Sequence, residues 1–286
     1  MNWPADREIS WDDLSRRLTA VPPDASLRLM VLAAHPDDET IGASVLLARL
    51  PDSIVIYLTD GAPRDPRFWT GGSYDSREQY AQTRKAEALH ALAHAGIAQH
   101  RVFWLRAVDQ EAVFEVPRLV AHLAKLLEEF RPDVVVTHPY EGGHPDHDSA
   151  ALVARIMALL LVKTEMRPAV VEMTSYHARN GKCVTGEFLN SGLSSQIRFE
   201  EIRFELSAED RERKQSMIRA YASQRLILEN FPIDRERLRK TPEYDFTQPP
   251  HQGKLWYECM GWPMTGARWR ELAKAAMAEL QEHSCP

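Results

Sequence analysis

The chain of 286 residues is short of cysteine, of clustered positive charge and of long apolar runs. Its three cysteines, Cys183, Cys259 and Cys285, stand far apart with no CxxC spacing, which argues against a disulfide framework or a thiolate zinc site and points to a reducing compartment. With 35 Lys and Arg against 41 Asp and Glu and a net charge of -6, no basic stripe exists to meet a nucleic acid. No apolar stretch approaches the roughly 18 residues of a membrane span, and residues 1–8 lack a basic segment followed by an apolar one. A cytoplasmic protein is the resulting expectation. Neither a GxGxxG nor a Walker-type loop follows the first apolar run, which disfavours a nucleotide cofactor. Internal repeats and low-complexity segments are missing as well.

What is present is the composition of an ordinary globular chain, 44% hydrophobic and 27% charged, with a regular alternation of strand and helix signals. Strands are expected at 27–34, 53–59, 101–105, 134–137 and 169–177, as short apolar runs suited to burial on both faces. Helices are expected at 41–50, 77–95, 116–130 and 145–162, and a polar loop at 60–76 is long enough to suggest a role in function. The pattern predicts a doubly wound, mostly parallel α/β sheet of Rossmann-like kind. Beyond it come an antiparallel edge strand at 197–206, a helix at 208–229, an irregular Pro-rich stretch to Gly253, and a last helix at 266–282. The division expected is an N-terminal extension (1–26), an α/β catalytic core (27–206) and a C-terminal helical and irregular extension packed on it (207–286), one domain overall.

Two clusters carry chemistry: His35-Pro36-Asp37-Asp38-Glu39 after the first strand, and His144-Pro145-Asp146-His147-Asp148 after the fourth. Both fall at carboxyl ends of strands, where open α/β sheets build their sites. His35 and Asp38 are spaced to converge on one ion from a turn stiffened by Pro36. Pro145 suits a first helical position, so His144 and His147 share one helix face, and one can ligate while the other reaches toward a substrate. Two imidazoles and a carboxylate leave tetrahedral zinc one open position, where water acquires a pKa near ~7 in place of ~15.7. Asp37 is then the group to take the proton, protonated His144 the one to stabilise an oxyanion or protonate the leaving nitrogen, and Asp146 the carboxylate that orients an imidazole.

Other features read as structural. His90 and His94 lie four apart on a helix with no HExxH glutamate. His138 ends the fourth strand, where a supporting role and simple burial both fit, and His177 ends a strand, which allows a pocket position. Arg211, Arg213, Arg235, Arg237 and Arg239 alternate with acids as on a solvated helix surface. The aromatic C-terminal region, with Trp256, Trp262 and Trp269, suits core packing or a wall for a sugar ring.

AHPDDE and GHPDH in these positions closely resemble the LmbE/PIG-L family of zinc-dependent deacetylases, which remove an acyl group from glucosamine-type sugars. The resemblance extends to Arg84 and Glu87, to the segment from Leu105 to Asp109, and to Ala222-Ser223-Gln224, so it covers most of residues 28–230. It implies one zinc held by His35, Asp38 and His147, with Asp37 as base and His144 as the acid or electrophilic group. By the same resemblance Arg84 and Asp109 hold sugar hydroxyls, while ion pairing of Arg84 with Glu87 and a loop-capping Asp109 are the plainer readings. Tyr140 either covers the site or packs. The chain departs from the family in having Gly61-Ala62 in place of Gly-Glu and Asp109-Gln110 in place of Asp-Gly, which bears on the substrate more than on the reaction.

The function expected is a metal-dependent amide hydrolase that removes an N-acyl group, acetyl above all, from a small amino sugar or a conjugate bearing one. An amidase acting on a larger thiol or natural-product conjugate and a non-catalytic sugar-binding protein are the alternatives. A homo-oligomer is left open.

Overall fold

The computed structural model describes residues 9–161, 167–189 and 200–283. Helix α1 (Trp11–Leu18) precedes β1 (Leu29–Ala33), α2 (Asp38–Arg49), β2 (Ile54–Pro63), α3 (Arg77–His94), β3 (Val102–Asp109), α4 (Val116–Phe130), β4 (Val134–Thr137) and α5 (Pro145–Leu161). Then follow β5 (Ala169–Met173), β6 (Tyr176–Arg179), β7 (Lys182–Thr185), β8 (Glu201–Glu205), α6 (Ala208–Ala220), α7 (Arg225–Leu228), β9 (Arg235–Lys240), α8 (Trp256–Cys259) and α9 (Gly266–His283).

The main sheet has seven strands in the order β3-β2-β1-β4-β5-β9-β8. The first five pair parallel, while β9 runs antiparallel to both β5 and β8. This is the doubly wound, mostly parallel architecture expected from the alternation of elements. The side chains of β1 alternate between faces: Leu29, Val31 and Ala33 join a core with α1, α2, α3 and α6, and Met30 and Leu32 join one with α4, α5 and α9. Both motifs leave neighbouring strands, β1 and β4, where the strand order reverses, the place at which open α/β sheets build their sites.

Three expectations need correction. The strand foreseen at 169–177 ends at Met173, and Tyr176 starts a separate hairpin with β7, because Asn180 (φ 53°) and Gly181 (φ 73°) make a tight turn that gives β6 its own partner. The helix foreseen at 208–229 breaks at Tyr221 (φ -89°, ψ 67°). The irregular stretch before Gly253 contains β9, so Arg235, Arg237 and Arg239 lie on a strand flanked on both sides, not on a solvated helix. Arg239 is buried, with Nε 2.7 Å from Glu172 and Nη2 3.0 Å from Glu141. Of the edge strand foreseen at 197–206, residues 197–199 lie outside the described residues, and the rest forms β8 at the sheet edge.

Helix α2 is interrupted at Ala43 (φ -141°), directly behind the first motif. The carboxylate of Glu236 on β9 fills the break, accepting the backbone N–H groups of Ser44 and Val45 at 3.1 Å and the Ser44 hydroxyl. Lys214 on α6 donates to Ile41 O and to Glu236, both at 2.9 Å, and is fully buried. Thus the groups orphaned by the kink are satisfied by an ion pair from the C-terminal part of the chain. The loop after β2 is tied to the same part: the Thr70 hydroxyl donates to Ser223 O at 2.6 Å, and Glu87 accepts the Ser223 N–H and hydroxyl.

Candidate metal and acid-base site

The turn between β1 and α2 is built around a strained residue. Asp37 has φ 135° and ψ -25°, a conformation that L-residues seldom adopt and that concentrates at working sites. Gly61 on β2 permits the turn: a Cβ there would sit 2.8 Å from Pro36 Cδ and 2.9 Å from Arg84 Nε. The second motif follows a loop pinned by Asp148, which accepts the Gly142 N–H at 2.9 Å, and enters α5 at Pro145. A Cβ on Gly143 would lie 2.0 Å from the backbone oxygen of Tyr176. Gly143→Ala is therefore expected to push His144 and β6 apart and to lower stability by about 1–3 kcal/mol, read as a fall in the thermal midpoint by circular dichroism.

From these two turns His35, Asp38 and His147 converge, their candidate ligand atoms all within 4.8 Å of one another, and all three are buried. Asp38 lies 3.2 Å from His35 Nδ1 and 3.1 Å from His147 Nε2. His147 Nε2 has no hydrogen-bond partner although it is buried, and burial pushes this imidazole down to about 3, leaving a free lone pair. His35 is surrounded by the carboxylates of Asp38, Asp109 and Asp146 at 3.1–3.3 Å. Burial opposes a charge there, yet the acids led by Asp109 outweigh it and raise His35 well above its ordinary value. A buried, acid-rich pocket that pulls so hard on positive charge, with an orphaned imidazole nitrogen facing a carboxylate, has the donor chemistry of a divalent-cation site. Asp109, His144 and Asp146 form a second group around the same His35.

Asp37 lies beside this group, and burial pushes its carboxyl up to about 7 against the pull of Arg84. Arg84 Nη2 donates to Pro36 O at 2.7 Å and to Asp37 Oδ2 at 3.1 Å. The plainer reading of Arg84 as the partner of Glu87 is corrected: Glu87 turns to Ser223, and Arg84, only 3% exposed, braces Asp37. His144 Nδ1 accepts the Asp146 N–H at 3.1 Å, which puts the imidazole hydrogen on Nε2, 3.6 Å from Asp109. Burial first, then His35 and His147, holds His144 well below its ordinary value. Asp146 contacts His35 Nε2 at 3.1 Å and is itself fixed by the N–H groups of Gln110 (2.6 Å) and Ala112 (3.0 Å). Gln110 takes a φ of 73° to do so, a backbone conformation that favours glycine.

Tyr140 does not cover the site. It is buried, donates to Gln248 O at 2.8 Å and stacks on Trp269, because the β4–α5 loop turns it into the core under α9. Trp262 faces the site instead, its ring 4.6 Å from that of His144 and 6.2 Å from Phe68 of the loop after β2, while Trp269 is core. His138 stacks on His147 at 4.0 Å and lies 3.2 Å from Asp38, a supporting position. His177 is buried 3.4 Å from Glu141, and His90 and His94 are exposed on α3. Sequence reasoning assigned no role to Glu39, although it sits within the first motif and is completely buried.

The PIG-L family model, described as GlcNAc-PI de-N-acetylase, matches residues 30–158, which contain both motifs. The chain is 32% identical over 163 residues to a probable N-acetyl-alpha-D-glucosaminyl L-malate deacetylase 2 of Bacillus subtilis, covering 56% of this chain and 72% of that protein. It is 28% identical over 184 residues to a 1D-myo-inositol 2-acetamido-2-deoxy-alpha-D-glucopyranoside deacetylase of Catenulispora acidiphila, covering 51% of this chain but only 52% of that protein. Among solved structures it resembles a deacetylase of the teicoplanin biosynthesis pathway, with TM-score 0.57, 16% identity and coverage of 76% and 99%. The same fold appears in a 4-carboxy-2-hydroxymuconate hydratase of Pseudomonas putida, with TM-score 0.52, 14% identity and coverage of 77% and 98%, so architecture alone does not fix the reaction.

Proposed function

The chain belongs to the PIG-L (LmbE-like) family, and we propose that it is a zinc-dependent hydrolase that removes an N-acyl group, acetyl above all, from an amino sugar or a glucosamine-containing conjugate. The observation that carries this reading is the convergence of His35, Asp38 and His147 beside a strained, buried Asp37. Relatives described as deacetylases of N-acetylglucosaminyl malate and of an acetamido-glucopyranosyl inositol support the substrate class.

In this reading His35, Asp38 and His147 hold the ion. Bound zinc supplies Lewis acidity, which acidifies water and polarises an amide carbonyl. Asp37 accepts the proton of the attacking water at Oδ, with Arg84 keeping the carboxylate in place. His144 presents Nε2–H as a hydrogen-bond donor to the developing oxyanion, its orientation fixed through Nδ1 by the backbone of Asp146, and the proton taken up by Asp37 passes to the leaving nitrogen. Asp146 holds His35 against rotation. Asp109, with one buried oxygen lacking a hydrogen bond, has capacity left for a sugar hydroxyl. Trp262 and Phe68 offer an aromatic face to the ring.

The test is acetate release by the zinc-loaded protein from N-acetyl-D-glucosamine and from its malate and inositol glycosides. Release from at least one, stopped by a chelator and restored by zinc, is the expected result; no release from any of them overturns the reading. His147→Ala is expected to lose zinc, measured as metal content after dialysis, because the two remaining ligands cannot retain the ion.

A further inference from the structure

We propose that Glu39 and Tyr221 are positioning residues that lock the main chain of Asp37 in its working conformation. This deepens the reading above and rests on it for the role of Asp37. A backbone at φ 135° persists only where its surroundings over-determine it. On one side Arg84 holds Pro36 O and the Asp37 carboxylate. On the other side Glu39 Oε2 accepts the Asp37 N–H at 3.1 Å. The other oxygen, Oε1, accepts the hydroxyls of Thr40 at 2.6 Å and Tyr221 at 2.7 Å.

Glu39 is 0% exposed and belongs to neither group of candidate metal ligands. A carboxylate buried so completely is expensive unless its oxygens are well used, and here they are used on one amide and two hydroxyls. Tyr221 is also 0% exposed and comes from the break after α6, so the clamp joins the first motif to the C-terminal part of the chain. Its hydroxyl fixes the rotamer of Glu39, and Glu39 fixes the amide of Asp37. The carboxylate of Asp37 is thereby aimed, and an aiming error of an ångström at a proton acceptor reduces rate far more than binding.

The test uses the full-length zinc-loaded protein with N-acetyl-D-glucosamine, and hydrogen exchange at the peptide containing Asp37. Glu39→Met keeps length but offers no acceptor, so kcat should fall about 10- to 100-fold with KM and zinc content little changed, and exchange at Asp37 should rise. Glu39→Gln keeps an acceptor for the Asp37 N–H and should restore most of the rate. Tyr221→Phe, which removes one hydroxyl, should reduce kcat and raise the exchange in the same direction, and it decides the matter if Glu39→Met does not fold. Parental kcat and exchange in a folded variant, a loss shared equally by kcat, KM and zinc content, or a glutamine variant no better than methionine would overturn the proposal. If the parent releases no acetate from any probe, the reading of the reaction fails, while exchange at Asp37 still decides the clamp.

Discussion

Asp37→Asn is expected to bind zinc as the parent does and to lose about 10²- to 10⁴-fold in turnover, the usual contribution of a general base. Asparagine is the informative replacement, because it keeps the volume of the side chain, tolerates a positive φ better than alanine does, and can still accept from Arg84. What it cannot do is take a proton. Metal content and initial rates of acetate release from the same preparation separate the two effects. An asparagine variant with parental turnover would remove Asp37 from the mechanism, and one that loses its zinc would make it part of the ion's support instead.

The second large effect is expected at a residue that belongs to neither group of candidate ligands. Glu236→Ala should destabilise the fold by about 3–5 kcal/mol, since it leaves the buried ammonium of Lys214 uncompensated. The same change strips acceptors from the N–H groups of Ser44 and Val45 at the kink in α2. Urea denaturation of parent and variant measures the difference. Replacing both partners, as Lys214→Met with Glu236→Leu, should recover part of the loss, because no charge is then stranded, although the two amides remain unsatisfied. A single variant as stable as the parent would show that the kink is held by other contacts.

These buried charges also explain where reading the sequence stopped. The strands β1 and β4, the helices α3, α4 and α5, and the meeting of the two motifs were legible, because each rests on local periodicity or on a position next to an apolar strand. Strand β9 was not. Its sequence, Arg235-Glu236-Arg237-Leu238-Arg239-Lys240, has a single apolar side chain, and it is interior to the sheet only because Glu236 meets Lys214 and Arg239 meets Glu141 and Glu172. Hydropathy cannot see a charge neutralised by a partner distant in sequence. The choice between covering the site and packing stayed open for Tyr140 for a related reason: closeness in sequence to His144 says nothing of which way a loop turns, and here it turns into the core. Glu39 escaped notice because a motif read for its ligands gives no weight to the carboxylate that binds none of them.

The position of β9 has a bearing on biogenesis. Among the described residues it is the last strand in sequence and yet has neighbours on both sides, β5 and β8. During synthesis the candidate ligands His35, Asp38 and His147 have all been translated once α5 is complete, but Lys214, Tyr221 and Glu236 are still to come. The candidate ligand set is thus encoded well before the residues that brace the β1–α2 turn, and the charged strand that carries Glu236 takes its place between β5 and β8 after both have been translated.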